Sequence, residues 1–324
     1  MPDAVVVGGG ISGIACASAL ATAGVAVRVR DRGRRLAGRM TSRRLRDTGT
    51  AFDGRPVDIG ASYFTASDPA FIDAVEQLIA REVVQPWTTS FHVAGPDGIV
   101  GVSTGPMRYR AAAGLSTVVE ALLVDGIDVS LGDEVSSIEV DGRGVTVDGA
   151  PADLVAACLP DPQLRRLTGA VPATPVTWEP VIAVTCVFDE RSWIDLDGVF
   201  VNDDPVLTWI ADDGRRRADD APVLVAHVNP VLAALHLQDP AAVIPLAVAT
   251  LRRVLGIDAM PDWVDAHRWT YAKPLAAAQE PFWMHEQVPF GVAGDAWADG
   301  PRVEAAWLSG HRLGRALADR AGGV

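Results

Sequence analysis

Three glycines and one aspartate carry the first chemical signal in the chain. Gly8, Gly10 and Gly13 stand within VVVGGGISGIACASALATAGVAVRVRDR, residues 5–32, and Asp31 comes 18 residues after Gly13. This is the GxGxxG spacing of a dinucleotide grip. Gly8 permits a tight turn, Gly10 leaves bare backbone for a pyrophosphate, and Gly13 lets a helix lie close to a sheet. The helix N-terminus offers free N–H groups and partial positive charge to the anion. A carboxylate at Asp31 accepts hydrogen bonds from a ribose diol. It would also repel a 2′-phosphate, the group that Arg32, Arg34 and Arg35 would otherwise suit.

The elements that must present this loop are legible around it. Residues 4–7 are an unbroken apolar run, as in a central parallel strand covered on both faces. A helix over residues 11–23 carries Ile11, Ile14, Ala15, Ser18, Ala19 and Thr22 on one face, and residues 25–29 form a second β-branched strand. Over residues 129–159 the pattern changes to short strands broken by Asp141-Gly142 and Asp148-Gly149, a hairpin signal, before LVAACL returns to a buried strand. Residues 176–228 are strand-rich, residues 240–255 read as a helix, and a last helix begins near Val303. The charged run DDGRRRADD, residues 212–220, reads as an exposed turn.

The segment beginning at Asp31 separates nicotinamide from flavin. Residues 31–44, DRGRRLAGRMTSRR, form a second small-residue loop for which a nicotinamide dehydrogenase has no use. Ala37-Gly38 would let backbone pass close to a cofactor, and Arg39 would offer a fork of donors to a phosphate or ring oxygen. At the other end, AGDAWADGPRVEAAWLSGHRLGRAL, residues 293–317, places Asp295 at a strand end, where its carboxylate would meet a ribityl hydroxyl. The helix after it would aim its N-terminus at the charge that reduced flavin carries, and Ala305, Ala306, Ser309 and Gly310 are small enough to let it approach.

Taken together, GGGISG, AGRMTSRR, VDIGASYFTASDPAF, HRWTYAKP and GDAWADGPRVEAAWLSG resemble the renalase branch of the FAD-dependent amine-oxidase-like flavoproteins, over residues 5–317. The resemblance implies an α/β fold with a Rossmann-type FAD-binding domain built from discontinuous segments, residues 1–66, 115–165 and 286–324. A mixed-sheet α+β substrate domain would take residues 67–114 and 166–285. It also implies cofactor positions at Gly8, Gly10, Ile11, Ser12, Gly13, Asp31, Arg32, Arg39, Met40, Gly60, Ala61, Val135, Gly294, Asp295, Val303, Glu304 and Ala305. Val135 would touch the adenine through its backbone. The C-terminal motif holds no cysteine, so FAD is expected to be bound non-covalently.

The implied reaction is oxidation of isomeric dihydronicotinamide dinucleotides, reduced at the 2- or 6-position. Hydride would pass to flavin N5, and dioxygen would reoxidise the flavin with release of hydrogen peroxide. Loss of hydride from a dihydropyridine gives an aromatic cation directly, so orientation is the main requirement. That suits a sequence with no evident catalytic dyad. Candidate substrate-facing residues are Tyr63, Trp269, Tyr271 and Lys273; in HRWTYAKP the last three share one strand face. Lys273 would face the flavin or an anionic substrate group, or else end the strand in solvent. The histidines, His267 among them, show no triad or metal pattern and read as structural or surface groups. Two family departures touch the substrate: residues 107–118, MRYRAAAGLSTV, lack the usual proline-glycine-methionine loop, and Lys273 stands where arginine is frequent. Other readings are a flavin amine oxidase or desaturase acting on a small amine or secondary metabolite, and a flavoprotein without turnover.

Composition narrows the partners. The 324 residues carry a net charge of −13 with 27 arginines and one lysine, which disfavours nucleic acid and other polyanions. Cys16, Cys158 and Cys186 lie in separate apolar stretches without CxxC or Cys/His spacing, so buried free thiols and no metal are expected. No basic leader with a cleavage site is evident, and no uncharged stretch approaches the ~20 residues of a membrane helix. The expectation is a soluble cytoplasmic protein acting on a small molecule and O2, of open oligomeric state.

Overall fold

The computed structural model describes residues 2–142, 144–172, 175–276, 278–297 and 300–322; Ala298 and Asp299 of the C-terminal motif lie outside these. One sheet has the strand order Trp283–Met284, Phe290–Val292, Leu154–Ala157, Asp3–Val7, Ala26–Asp31, Asp128–Leu131. All its neighbours run parallel except the first pair. Leu154–Ala157 is buried along its whole length, as an apolar run covered on both faces requires. The chain moves outward from Asp3–Val7 on one side to Ala26–Asp31, and on the other side to Leu154–Ala157. The glycine loop therefore leaves the carboxyl end of the central strand at the switch point, where open α/β sheets bind ligands.

The Asp-Gly signals give an antiparallel meander, Ile138–Asp141, Gly144–Val147 and Ala150–Ala152. Asp148 and Gly149 both have positive φ, 50° and 78°, as a two-residue hairpin turn needs. The second sheet has seven strands in the order Trp263–Pro274, Trp178–Val187, Val223–Val228, Leu207–Asp212, Gly198–Val201, Gln85–Gly95, Gly98–Arg110. The helix Ile244–Leu255 buries Ala247, Val248, Leu251 and Val254 among Ile182, Val184, Ile210 and Leu224 of this sheet. The expected α/β fold with a mixed second sheet is thus present.

Three features differ from the sequence expectation or sharpen it. The helix Pro69–Ala80, capped by the Asp68 carboxylate, buries Phe71, Val75 and Leu78 in one cluster with Ile14, Leu20 and Trp307. It packs with the nucleotide-binding layer, and the second sheet gains its first strand at Gln85.

The run DDGRRRADD is not an exposed turn. Asp213–Arg217 is a short helix, and Asp212, Asp213, Arg216 and Arg217 are all buried. Arg55, Arg216 and Arg217 converge on Asp213, and Arg217 also reaches Asp58 at 3.0 Å. Asp58 lies 155 residues upstream of Asp213, so the partner that makes burial tolerable is invisible in the run itself. Arg216 also donates to the carbonyls of Ser62 (3.0 Å) and Asp58 (3.2 Å), pinning the strand that leaves Pro56–Asp58.

The C-terminal helix Val303–Gly322 crosses the glycine-loop helix Ile11–Thr22 at a spacing only glycine allows. A Cβ on Gly310 would sit 1.9 Å from the Ser12 carbonyl oxygen, and one on Gly314 would sit 2.5 Å from that of Cys16. Of the cysteines, Cys16 and Cys186 are buried free thiols, while Cys158 is half-buried on the wall of the central cleft. Among the described residues no helix is long and apolar enough to cross a membrane, and no cluster suited to a metal occurs.

Candidate active site

A cleft of about 2320 Å³ runs from the glycine loop to the second sheet. Its first end is the start of the helix Ile11–Thr22. Gly10 is extended there (φ −78°, ψ 177°) and no side chain caps the helix, so the N–H groups of the first turn face outward. The Ser12 hydroxyl is buried with no hydrogen-bond partner, and a Cβ on Gly10 would meet nothing within 4 Å. Open backbone, free donors and an orphaned hydroxyl fit a bound pyrophosphate. Gly8 and Gly13 serve the backbone: a Cβ on Gly13 would fall 1.8 Å from the Gly8 carbonyl oxygen. Gly13 therefore does not line the cleft, whereas Gly8, Gly10, Ile11 and Ser12 do.

Asp31 accepts from the amides of Gly9 and Gly33, both at 2.5 Å, which closes the turn around the nucleotide end. A carboxylate has about four lone-pair sites, so acceptor capacity remains for a ribose diol. Val135 and exposed Arg32 line the same end. The second loop returns to the first through Ala37, whose amide donates to the Gly9 carbonyl at 2.9 Å. Ala37 has φ 97°, a strained conformation for a residue with a Cβ, and Gly38 comes next at φ 51°.

Arg39 and Asp295, singled out from opposite ends of the sequence, meet in a bidentate pair at 2.6 and 2.7 Å. Arg39 also donates to the Ala272 carbonyl at 3.1 Å and lies 5.1 Å from the Trp178 ring centroid. The Arg39 carbonyl passes against Gly60, where a Cβ would be 2.0 Å away, and accepts from the Ala61 amide at 2.9 Å. Met40, Gly60, Ala61, Gly294 and Val303 complete this stretch of wall.

The opposite wall is a single row across the second sheet. Strand register sets Phe200, Trp209, His227, Ala183 and His267 side by side, on the face away from the helix Ile244–Leu255. Trp209 donates to the Ser62 hydroxyl at 2.9 Å, and Trp269 donates to the Ile59 carbonyl at 2.7 Å. Tyr63 packs on Phe91 and Trp209, with ring centroids at 5.1 and 5.8 Å. Burial pushes the His227 imidazole from 6.5 down to about 4, with Arg216 adding to the effect, and its Nε2 has no partner. Burial, then Arg43, lowers His267 as well. Both shifts favour the neutral ring. Arg108 joins this wall from the strand Gly98–Arg110.

Several expectations need revision. The Glu304 carboxylate is buried away from the cleft, accepting from the Ser67 amide (2.5 Å), the Ser67 hydroxyl (2.8 Å) and the Asp68 amide (2.7 Å). It fastens the C-terminal helix to the loop before Pro69–Ala80, and Ala305 is packed behind it. Lys273 is 58% exposed at the cleft edge and faces Glu179 at 4.0 Å, so it ends the strand in solvent. Tyr271 lines the cleft, its hydroxyl accepting from Arg166 at 3.1 Å. His227 and His267, read as structural or surface groups, are wall residues; only strand register reveals it. Trp178, Trp209, Trp269, Trp283 and Trp297 all reach the cleft, although only Trp269 stood out in the sequence.

Comparison with known proteins adds two family matches. A model described as an NAD(P)-binding Rossmann-like domain matches residues 6–78, reaching through most of the helix Pro69–Ala80. One described as flavin containing amine oxidoreductase matches residues 97–317, more than half of the chain. Among solved structures, wild-type putrescine oxidase bound to putrescine is similar at 17% identity and TM-score 0.69, covering 100% of this chain and 99% of that one. A triple mutant from a structure-based redesign of cofactor binding in putrescine oxidase gives 17% identity and TM-score 0.71, with the same coverage. At this identity the likeness is one of fold.

Proposed function

The chain belongs to the flavin-containing amine oxidoreductase family and is an FAD-dependent oxidoreductase; from that premise we propose that it is a renalase-like oxidase of isomeric dihydronicotinamide dinucleotides. The observation that carries this reading is the wall facing the cofactor track. It offers flat aromatic rings and two imidazoles whose burial favours the neutral form, and the chain's single lysine sits at the cleft edge, mostly exposed and facing Glu179. A dihydropyridine needs only to be held flat and close, because hydride loss makes it aromatic without a base. The cleft volume of about 2320 Å³ exceeds the roughly 300–1,000 Å³ of ordinary ligand pockets, which suits a dinucleotide beside a dinucleotide.

Ser12, Asp31 and the Arg39–Asp295 pair would hold FAD, which when bound would supply a two-electron acceptor open to reoxidation by dioxygen. The protein's part is placement. Arg216 fixes the carbonyls of Asp58 and Ser62, Trp269 fixes that of Ile59, and the segment between them carries Gly60 and Ala61 past the ring site. Trp209 and Tyr63 close the far side and keep water from the reacting faces. The C-terminal motif holds no cysteine, which supports non-covalent binding of the cofactor.

An amine oxidase reading is favoured by one observation, the likeness in fold to putrescine oxidase together with an aromatic wall able to cage a neutral amine. Anaerobic mixing of the FAD-loaded protein with 2- and 6-dihydronicotinamide dinucleotides and with a panel of primary and secondary amines separates the two. Rapid loss of flavin absorbance with the dihydronicotinamides alone is the expected result. Bleaching by amines alone would overturn the proposal.

A further inference from the structure

Buried arginines in this chain come with aspartates, with one exception. Among the described residues three arginines are buried, and Arg216 and Arg217 share Asp213 and Asp58. Arg108, 6% exposed, faces no carboxylate. Its Nε and Nη1 have no hydrogen-bond partner, and its guanidinium lies over two rings, 4.2 Å from the Phe91 centroid and 5.7 Å from that of Tyr63. Gly105 makes room for it, since a Cβ there would come 3.0 Å from Nη2. The group lines the cleft beside Tyr63 on the substrate wall.

A guanidinium cannot discharge by losing its proton, and ring faces offset only part of the cost of taking it out of water. Among the described residues no carboxylate pairs with it, in a chain with 41 acidic residues. The diphosphate of FAD is already provided for by the first turn of Ile11–Thr22 and the orphaned Ser12 hydroxyl, on the other wall. What remains for Arg108 is the substrate.

We propose that Arg108 is the anion anchor of the substrate site, receiving a phosphate or carboxylate group of the bound substrate through its planar fork of donors. The inference rests on the foregoing reading only in taking this cleft as the substrate site. A dinucleotide would present its pyrophosphate here; an amine substrate would have to carry a carboxylate, as a free diamine does not.

The test uses the FAD-loaded protein and two ligand pairs that differ only in the anionic group: nicotinamide mononucleotide against nicotinamide riboside, and free lysine against 1,5-diaminopentane. Binding is read as perturbation of the bound-flavin absorbance, in the wild type and in Arg108→Gln and Arg108→Lys. In the wild type the mononucleotide is expected to bind roughly 10- to 100-fold more tightly than the riboside, the range of a charge-assisted hydrogen-bonded pair. Arg108→Gln removes that preference and leaves riboside binding unchanged, and Arg108→Lys restores part of it. Ligand-free Arg108→Gln melts at or above the wild-type temperature, because an unpaired buried charge has gone; a structural arginine would give the reverse. Equal binding within both pairs in the wild type, equal loss of both members in Arg108→Gln, or a lowered melting temperature with the preference intact would each overturn the anchor. If neither nicotinamide perturbs the flavin but lysine outbinds 1,5-diaminopentane in an Arg108-dependent way, the dihydronicotinamide reading fails and the anchor stands.

Discussion

Replacing Gly310 by alanine tests the contact that joins both ends of the chain at the cofactor. The added Cβ would sit 1.9 Å from the Ser12 carbonyl oxygen and 2.9 Å from the Ser12 Cα. Ordinary contact begins near 3.4 Å, so the two helices must separate by 3.4 − 1.9, or about 1.5 Å. The obstacle is backbone, which no rotamer change relieves. Alanine contributes about 1 kcal/mol through helix propensity, whereas overpacking a close-packed contact costs about 1–3 kcal/mol and more where backbone must move. A net loss of about 2 kcal/mol corresponds to a fall of about 4–8 °C in melting temperature for a large domain. Ser12 carries the orphaned hydroxyl proposed to meet the pyrophosphate, so on that reading flavin retention should fall with it. Gly322→Ala in the same helix is the control, because a Cβ there meets nothing within 4 Å. The assays are the flavin-to-protein absorbance ratio and thermal unfolding of the FAD-loaded protein. A Gly310→Ala protein with full flavin content, melting as high as Gly322→Ala, would refute the packing argument.

The same geometry sets the outcome of three other perturbations. Asp213→Asn leaves Arg55, Arg216 and Arg217 without their shared, fully buried carboxylate and should cost about 3–5 kcal/mol in urea unfolding. Flavin should be lost with it, because Arg216 holds residues 58–62. His227 has a folded value of about 4 against 6.5 unfolded, so its contribution is complete above pH 6.5 and is lost as pH falls towards 4. From pH 7 to 4.5 the wild type should lose on the order of 2–3 kcal/mol that His227→Gln keeps, measured by denaturant titration at both pH values. Lys273→Met should leave turnover within about twofold and stability within about 0.5 kcal/mol, because a 58% exposed ammonium 4.0 Å from Glu179 is a weak pair.

The parts of this molecule that are legible in sequence are those whose physics is local. Gly8, Gly10 and Gly13 declare a turn and a close approach within six residues, and Asp148-Gly149 declares a hairpin by its backbone alone. Asp295 and Arg39 each stand out in their motifs, but that they pair with each other is not legible, since 256 residues separate them. The run DDGRRRADD misleads because charge suggests exposure; spacings of three and four from Asp213 to Arg216 and Arg217 are the available hint, and Asp58 is not. Register across a seven-stranded sheet decides that His227 and His267 share a face with Trp209. Nothing within either strand states it. Glu304 shows the same limit in reverse: a helix-start acid next to a cofactor motif turns to two backbone amides and a hydroxyl of residues 67 and 68.

The short stretch of residues 58–63 explains how two layers with separate cores act as one site. It receives the Arg39 carbonyl from the cofactor layer at Gly60 and Ala61. From the second sheet it receives Trp269 on the Ile59 carbonyl and Trp209 on the Ser62 hydroxyl, and from the short helix beside that sheet Arg216 on the carbonyls of Asp58 and Ser62. Each of these four bonds spans at least 147 positions of the chain, so none is a product of local folding. Hydride transfer demands reacting atoms held within about 3–3.5 Å, and a loop fixed only by its own ends would not hold such a tolerance. Anchoring from both layers makes the distance between cofactor and substrate wall a property of this stretch. The buried Asp58–Asp213–arginine cluster behind it is therefore part of how the site is positioned, although none of its side chains lines the cleft.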